Sequence, residues 1–166
     1  MDEHQPDTPD VTIQPLDHRD PVSAEHIHAV MKLAYAQEAR LLGVREFAPM
    51  QRSVQDIQAG GEFYLGAFSG DELLAALSIG PDDEPGQLLI CALVVHPAAQ
   101  RQGIGRLLVQ DALRRGAGLV FAVSTAAANG PALALYRSLG FVDYRHGTLG
   151  AEALALVKLR RDPSDP

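Results

Sequence analysis

The stretch from Gln87 to Arg115 constrains the fold more than any other part of the chain. Leu88 to Val95 is an unbroken apolar run, and Pro97 stops it. Gly103 and Gly105 follow, and Ile104, Leu107, Leu108, Ala112 and Leu113 then recur with helical spacing. The run reads as a central strand covered on both faces. The second periodicity reads as an amphipathic helix closed by Gly116 and Gly118. A strand, a glycine turn and a helix in that order require a sheet with helices packed on it. The first N–H groups of such a helix have no internal partner, so glycines at its start leave them open to an anion. Arg101 and Arg106 flank the turn with positive charge.

Other elements arrange themselves around this centre. Val11 to Leu16 reads as a first strand. Asp20-Pro21 opens a helix carrying Ile27, Val30, Met31, Ala34 and Leu41 and closed by Gly43. Ser53 and Asp56 resemble the capping pair of a short second helix that Gly60-Gly61 stops. Glu62–Phe68 and Glu72–Ile79 are strands joined by a glycine-containing turn, and Leu119–Val123 is a further buried strand. Pro131 to Leu139 is a helix capped by Gly140, and Phe141–His146 and Ala153–Leu159 form a last pair of strands. The order β-α-α-β-β-β-α-β-α-β-β predicts one mixed α/β domain over residues 11–160. Residues 1–10 and 161–166 are expected as flexible ends.

Composition narrows the function. The 166 residues suit one domain, and 46% hydrophobic content allows a true core. A net charge of -7 repels nucleic-acid phosphates, and no basic run with aromatics offsets it. No apolar run approaches a membrane span, and the acidic, proline-containing start lacks the features of a signal peptide. One cysteine, Cys91, rules out an intrachain disulfide and a cysteine-based zinc site; no metal is expected, and a cytoplasmic location is the default. Cys91 itself reads as an inert core thiol.

Two familiar phosphate loops fit poorly. A P-loop needs Gly-Lys-Ser/Thr, whereas Gly105 is followed by Arg106-Leu107; a dinucleotide loop needs a third glycine where the chain has Leu108. Gln100-Arg101-Gln102-Gly103-Ile104-Gly105 instead resembles the cofactor motif Gln/Arg-x-x-Gly-x-Gly/Ala of the GNAT superfamily of N-acetyltransferases. Leu93-Val94-Val95-His96-Pro97 looks like the stretch ahead of that motif, and Asn129 to Phe141 like the family's second signature. The resemblance implies a single-domain GNAT-like fold: a mixed, mostly antiparallel sheet with splayed central strands, flanked by about four helices.

It also implies acetyl-CoA as co-substrate and a primary amine of a small molecule or peptide as acceptor. Backbone amides of Arg101, Gln102, Gly103, Ile104, Gly105 and Arg106 would hold the pyrophosphate. The main chain of Leu93 and Val95 would pair with the pantetheine arm, and the amide of Val94 or Val95 would polarise the thioester. Asn129 would contact the cofactor, and Tyr136 would protonate the departing thiolate. Asn129 also reads as a capping residue, Tyr136 as a packing residue and His96 as a turn residue. The family's usual glutamate base falls on Leu89, which cannot act as one. A non-catalytic acyl-CoA-binding domain is the alternative reading, and a homodimer is compatible with either. The acceptor region would include Tyr35, Glu38, Glu46, Phe47 and Tyr144, with the two glutamates pairing with a cation or facing solvent.

Overall fold

The computed structural model describes residues 10–163. Residues 1–9 and 164–166 of the expected flexible ends therefore lie outside the described residues. Arg161 lies inside, paired with Phe121 in the last strand rather than in a tail.

One seven-stranded sheet runs in the order β1-β2-β3-β4-β5-β7-β6. Its strands are β1 (Thr12–Leu16), β2 (Phe63–Ser69), β3 (Glu72–Pro81), β4 (Gln87–Val95), β5 (Val120–Ala126), β6 (Val142–Leu149) and β7 (Leu154–Arg161). The helices are α1 (Pro21–Leu42), α2 (Val54–Ala59), α3 (Ile104–Arg115) and α4 (Gly130–Ser138). Short 3-10 turns at Ala48–Gln51 and Pro97–Ala99 are additions to the order read from the sequence. Every neighbouring pair is antiparallel except β4–β5.

Local chemistry explains the helix boundaries. The Asp20 carboxylate accepts from the Ser23 amide at 3.0 Å, Pro21 takes the first helical position, and Gly43 ends α1 at φ 68°. Ser53 and Asp56 form a reciprocal capping box on α2. The stripe Ala24, Ile27, Val30 and Met31 is buried against one face of the sheet, with Tyr64, Ala76, Ala92 and Val94. On the other face Ile104, Leu108, Val109 and Ala112 of α3 join Leu133 and Tyr136 of α4 over Leu65, Leu77, Ile90 and Phe121. Leu108 is fully buried, so Leu108→Ala would cost about 2–5 kcal/mol.

Two irregularities in β4 position the site. The β3–β4 register shifts between Ser78 and Ile79, leaving Cys91 as an extra residue between Ala92 and Ile90. This bulge moves Cys91 out of the alternation. The expected core thiol is thus exposed, and β4 is not covered on both faces. Further along, β5 pairs with β4 only from Gln87↔Val120 to Ile90↔Val123. Beyond Ile90 the strands part, while Ser124 to Ala126 stay bonded to β7 alone.

Tyr144, which the sequence reading assigns to the acceptor region, is instead held in a cluster of charged side chains. It lies under the guanidinium of Arg160 (5.0 Å to the ring centroid), beside Lys158, which bridges Asp82 and Asp83 at 2.8 Å each. That ion cluster ties the turn before β4 to the β6–β7 hairpin.

Candidate active site

The divergence of β4 and β5 opens a groove of about 780 Å³, within the range of small-molecule sites. Its floor is β4 and β5, and α1, α3 and α4 contribute its walls. The His96 amide donates to the Leu74 carbonyl at 2.8 Å. By the two-residue alternation of an antiparallel ladder, Ala92 and Val94 turn their main-chain groups toward β3. Leu93 and Val95 therefore turn theirs into the gap, where β5 offers no partner. Of the two amides considered for polarising the thioester, Val95 is the one that faces the gap.

At one end of the groove, the loop before α3 forms a concave turn. Arg101 has φ 65° and Gly103 φ 79°, two left-handed residues in a four-residue stretch. For arginine that conformation costs on the order of 1–2 kcal/mol, a strain that persists only where the surroundings impose it. Such turns aim successive N–H groups into one hollow, and the N-terminal end of α3 adds its dipole. Gly103 is the N-cap and has no side chain to satisfy those groups. Ile104 is buried in the core, so only its amide can face a ligand. Gly105 lines the groove, where an added Cβ would lie 3.7 Å from both Leu135 and Val95. Arg101 and Arg106 line it too, Arg106 donating to Ser138 Oγ at 2.6 Å. The Gln102 side chain is exposed and is not part of the lining. Gln100 ties this loop to α1, donating to Gln37 Oε1 at 2.6 Å.

Tyr136 lines the groove from α4. Its ring is buried edge-on to Phe141, with centroids 5.4 Å apart. Among the described residues its hydroxyl has no hydrogen-bond partner. Burial raises its pKa well above the ordinary tyrosine value, with smaller contributions from Tyr35 and Glu38. The phenol therefore stays protonated throughout the physiological range.

Asn129 caps α4, its side-chain oxygen accepting from the Ala132 amide at 3.2 Å. The side-chain amide also donates to Glu38 Oε1 at 3.2 Å across the groove. Sequence reasoning left Glu38 undecided; the structure makes it a half-buried carboxylate in the lining, its pKa raised by desolvation against the opposing effect of that hydrogen bond. Helical periodicity alone held the signal, since Ala34, Tyr35, Glu38 and Leu41 all lie on one side of α1.

Tyr35 and Phe47 line the same end, packed edge-to-face at 5.8 Å. Glu46 lines only a small adjoining cavity of about 30 Å³. His96 is a turn residue, its Nδ1 accepting from the Ala98 amide at 3.0 Å. Leu89 lies on the paired part of β4, outside the lining. Cys91 opens onto the groove, and desolvation, then the charge of Glu62, pushes its thiol up, away from the reactive thiolate.

Comparison with known proteins bears on the family and the fold. Residues 27–141 match the model of the Acetyltransferase (GNAT) family. The chain is 35% identical over 130 residues to the UPF0157 protein YqkA of Bacillus subtilis, covering 78% of this chain but only 37% of that longer protein. It is 36% identical over 107 residues to the N-alpha-acetyltransferase RimI of Mycobacterium tuberculosis, covering 62% and 68% of the two chains. Among solved structures, the ribosomal-protein-S18-alanine N-acetyltransferase of Escherichia coli superposes with TM-score 0.70 at 18% identity, over 94% and 96% of the chains. The PaiA N-acetyltransferase of Thermoplasma acidophilum, in complex with coenzyme A, superposes with TM-score 0.73 at 14% identity, over 92% and 98%.

Proposed function

Because this chain belongs to the GNAT family, whose members are acetyl-CoA-dependent acyltransferases, we propose that it acetylates a primary amine of a small molecule or peptide. The observation that carries this reading is the gap between β4 and β5. It leaves the main chain of Leu93 and the amide of Val95 without a strand partner, the Val95 carbonyl accepting only from Gln100 Nε2 at 3.4 Å, with a protonated phenol on one side and an anion-holding turn at one end.

Each part has a role in moving an acetyl group. The amides from Arg101 to Arg106 take the pyrophosphate, helped by the guanidinium groups of Arg101 and Arg106. Leu93 and Val95 bond the amide-bearing pantetheine arm as a missing strand would. The Val95 N–H points where the thioester oxygen gains charge as nitrogen attacks, and a fixed donor there stabilises the tetrahedral oxyanion. As the C–S bond breaks, Tyr136 gives its proton to sulfur. The nitrogen's own proton, lost on collapse, replaces it. A tyrosine of raised pKa suits this step, because the same desolvation raises the proton affinity of the thiolate. Asn129 lines the passage and holds the start of α4, which carries Tyr136.

The test is thiol release from acetyl-CoA across a panel of primary amines. The reading expects amine-dependent release that Tyr136→Phe lowers by about 10². Binding of acetyl-CoA with no transfer to any amine would favour the acyl-CoA-binding alternative.

A further inference from the structure

We propose that Glu38 is the acceptor site's carboxylate: it binds the ammonium of an alkylamine bearing an apolar group and takes the proton before attack. The proposal rests on the N-acetyltransferase reading above and specifies its substrate class and its missing base.

Placement comes first. Among the described residues that line the groove, Glu38 is the one acid; the other charged side chains, Arg101 and Arg106, stand at the anion-holding end. Asn129 holds one carboxylate oxygen at 3.2 Å, leaving the second unpaired. The titratable groups that sense it are Tyr35, beside it on α1, and Tyr136, across the groove on α4; its negative charge raises both phenols. A carboxylate coupled to the proton donor by field, and half-buried in the same groove, stands where a cation is welcome and no other acid competes. Desolvation makes it a better base than an ordinary glutamate, and Asn129 restrains that rise.

The surroundings give the rest of the acceptor. Beyond Glu38 the groove is walled by Leu41, Phe47, Pro49, Leu149 and Leu154. Leu41 is 59% exposed and Leu149 43% exposed, an apolar mouth awaiting cover. The mouth is held in shape by Glu152, whose Oε1 accepts from the amides of Arg45 and Glu46 at 3.1 and 3.2 Å. A monoamine with a hydrophobic body satisfies both features. Within the groove itself a polyamine's second ammonium would meet this apolar wall, because the carboxylates of Glu46 and Glu152 line the small adjoining cavity and not the groove.

The proton balance closes. An alkylammonium of pKa near 10.4 is only about one part in a thousand neutral at pH 7. Glu38 accepts one proton, and the free amine forms the C–N bond. The second N–H proton leaves as C–S breaks and replaces the one given by Tyr136 to sulfur. Glu38 then returns its proton to solvent through the open mouth.

The experiment compares wild type and Glu38→Gln with 2-phenylethylamine and with putrescine, at pH 7 and 9.5, alongside acetyl-CoA affinity and thermal stability. Wild type should favour 2-phenylethylamine by about tenfold or more in kcat/KM. Glu38→Gln should lose about 10² in kcat/KM at pH 7 with acetyl-CoA affinity kept. The deficit should shrink below about tenfold at pH 9.5, where about a tenth of the amine arrives already neutral, some hundredfold more than at pH 7. A loss equal at both pH values, no loss, or preference for putrescine would overturn the proposal. Should the glutamine variant not fold, Glu38→Asp, which keeps the charge on a shorter arm, should retain the shrinking deficit; a deficit constant with pH overturns it. Wild type that binds acetyl-CoA but acetylates neither amine nor any other in the panel overturns the function reading itself. Transfer by wild type with unaltered Glu38→Gln removes Glu38 alone.

Discussion

The Asn129 side chain bonds in two directions at once, capping α4 through the Ala132 amide and holding Glu38 of α1 at 3.2 Å across the groove. The same residue therefore anchors the helix that carries the phenol and orients the carboxylate that faces it. Two substitutions separate these tasks. Asn129→Ala should destabilise the fold by about 1 kcal/mol through the lost cap, read in urea. Asn129→Asp should keep the cap and stability but place a like charge against Glu38. That raises the Glu38 pKa further, so the rising limb of kcat/KM should move to higher pH. An unmoved limb with intact stability would show that Asn129 acts only as a cap.

The glycine turn should be intolerant of bulk only where a ligand approaches. At Gly105 a Cβ meets Leu135 and Val95 at 3.7 Å, ordinary contact, so Gly105→Ala should fold normally. Gly105→Val adds branches toward the groove and should weaken acetyl-CoA by about tenfold or more, about 1.4 kcal/mol, by calorimetry. Equal affinity in a folded Gly105→Val protein would remove this turn from the site.

Much of this was legible in the sequence, because the signals were local. Asp20, Ser53, Gly43 and the glycines at the start of α3 mark element ends by rules that need no tertiary context. What stayed hidden depends on strand pairing. The apolar run Leu88–Val95 carries no mark of the bulge at Cys91, nor of where β5 stops pairing with β4; both are set by register. Cys91 was therefore misread as core. For Glu38 the sequence leaves pairing with a cation and facing solvent equally open, because its partner is 91 residues away. Tyr144 looked like an acceptor aromatic, but the charges of Arg145, Lys158 and Arg160 claim its ring.

The ion cluster around Lys158 should govern stability rather than activity. The Asp82 side chain is 1% exposed and depends on Lys158 at 2.8 Å. Lys158→Met would leave that carboxylate buried without its partner and should cost about 3–5 kcal/mol in urea unfolding.

Its pH dependence has a definite sign. Lys158 is held above its ordinary pKa against the cost of its own burial, chiefly by hydrogen bonds to Asp82 and Asp83. The stability it contributes is present below about pH 10.4 and is lost as pH rises through the folded value. Asp83, held at about 2 chiefly by its bond to Lys158, contributes above about pH 3.9 and is lost as pH falls toward 2. Stability should therefore be flat between about pH 5 and 10 with respect to this cluster. Lys158→Met should flatten the alkaline fall, and thermal melts across pH would read it.

Tyr136→Phe keeps the ring against Phe141 and removes only the hydroxyl. Stability and acetyl-CoA affinity should hold, while kcat falls by about 10². A wild-type kcat would make Tyr136 a packing residue.

The central claim, acetyl transfer from acetyl-CoA to an amine nitrogen in the β4–β5 gap, is tested most directly by counting both products of one reaction. Wild-type protein, acetyl-CoA and 2-phenylethylamine are incubated, and free CoA thiol and N-acetylated amine are measured together by mass spectrometry over time. The account predicts equal amounts of thiol and acetylated amine, with both rates reduced together by Tyr136→Phe. Thiol released at the same rate without amine, or no N-acetyl product from any primary amine tested, would contradict it.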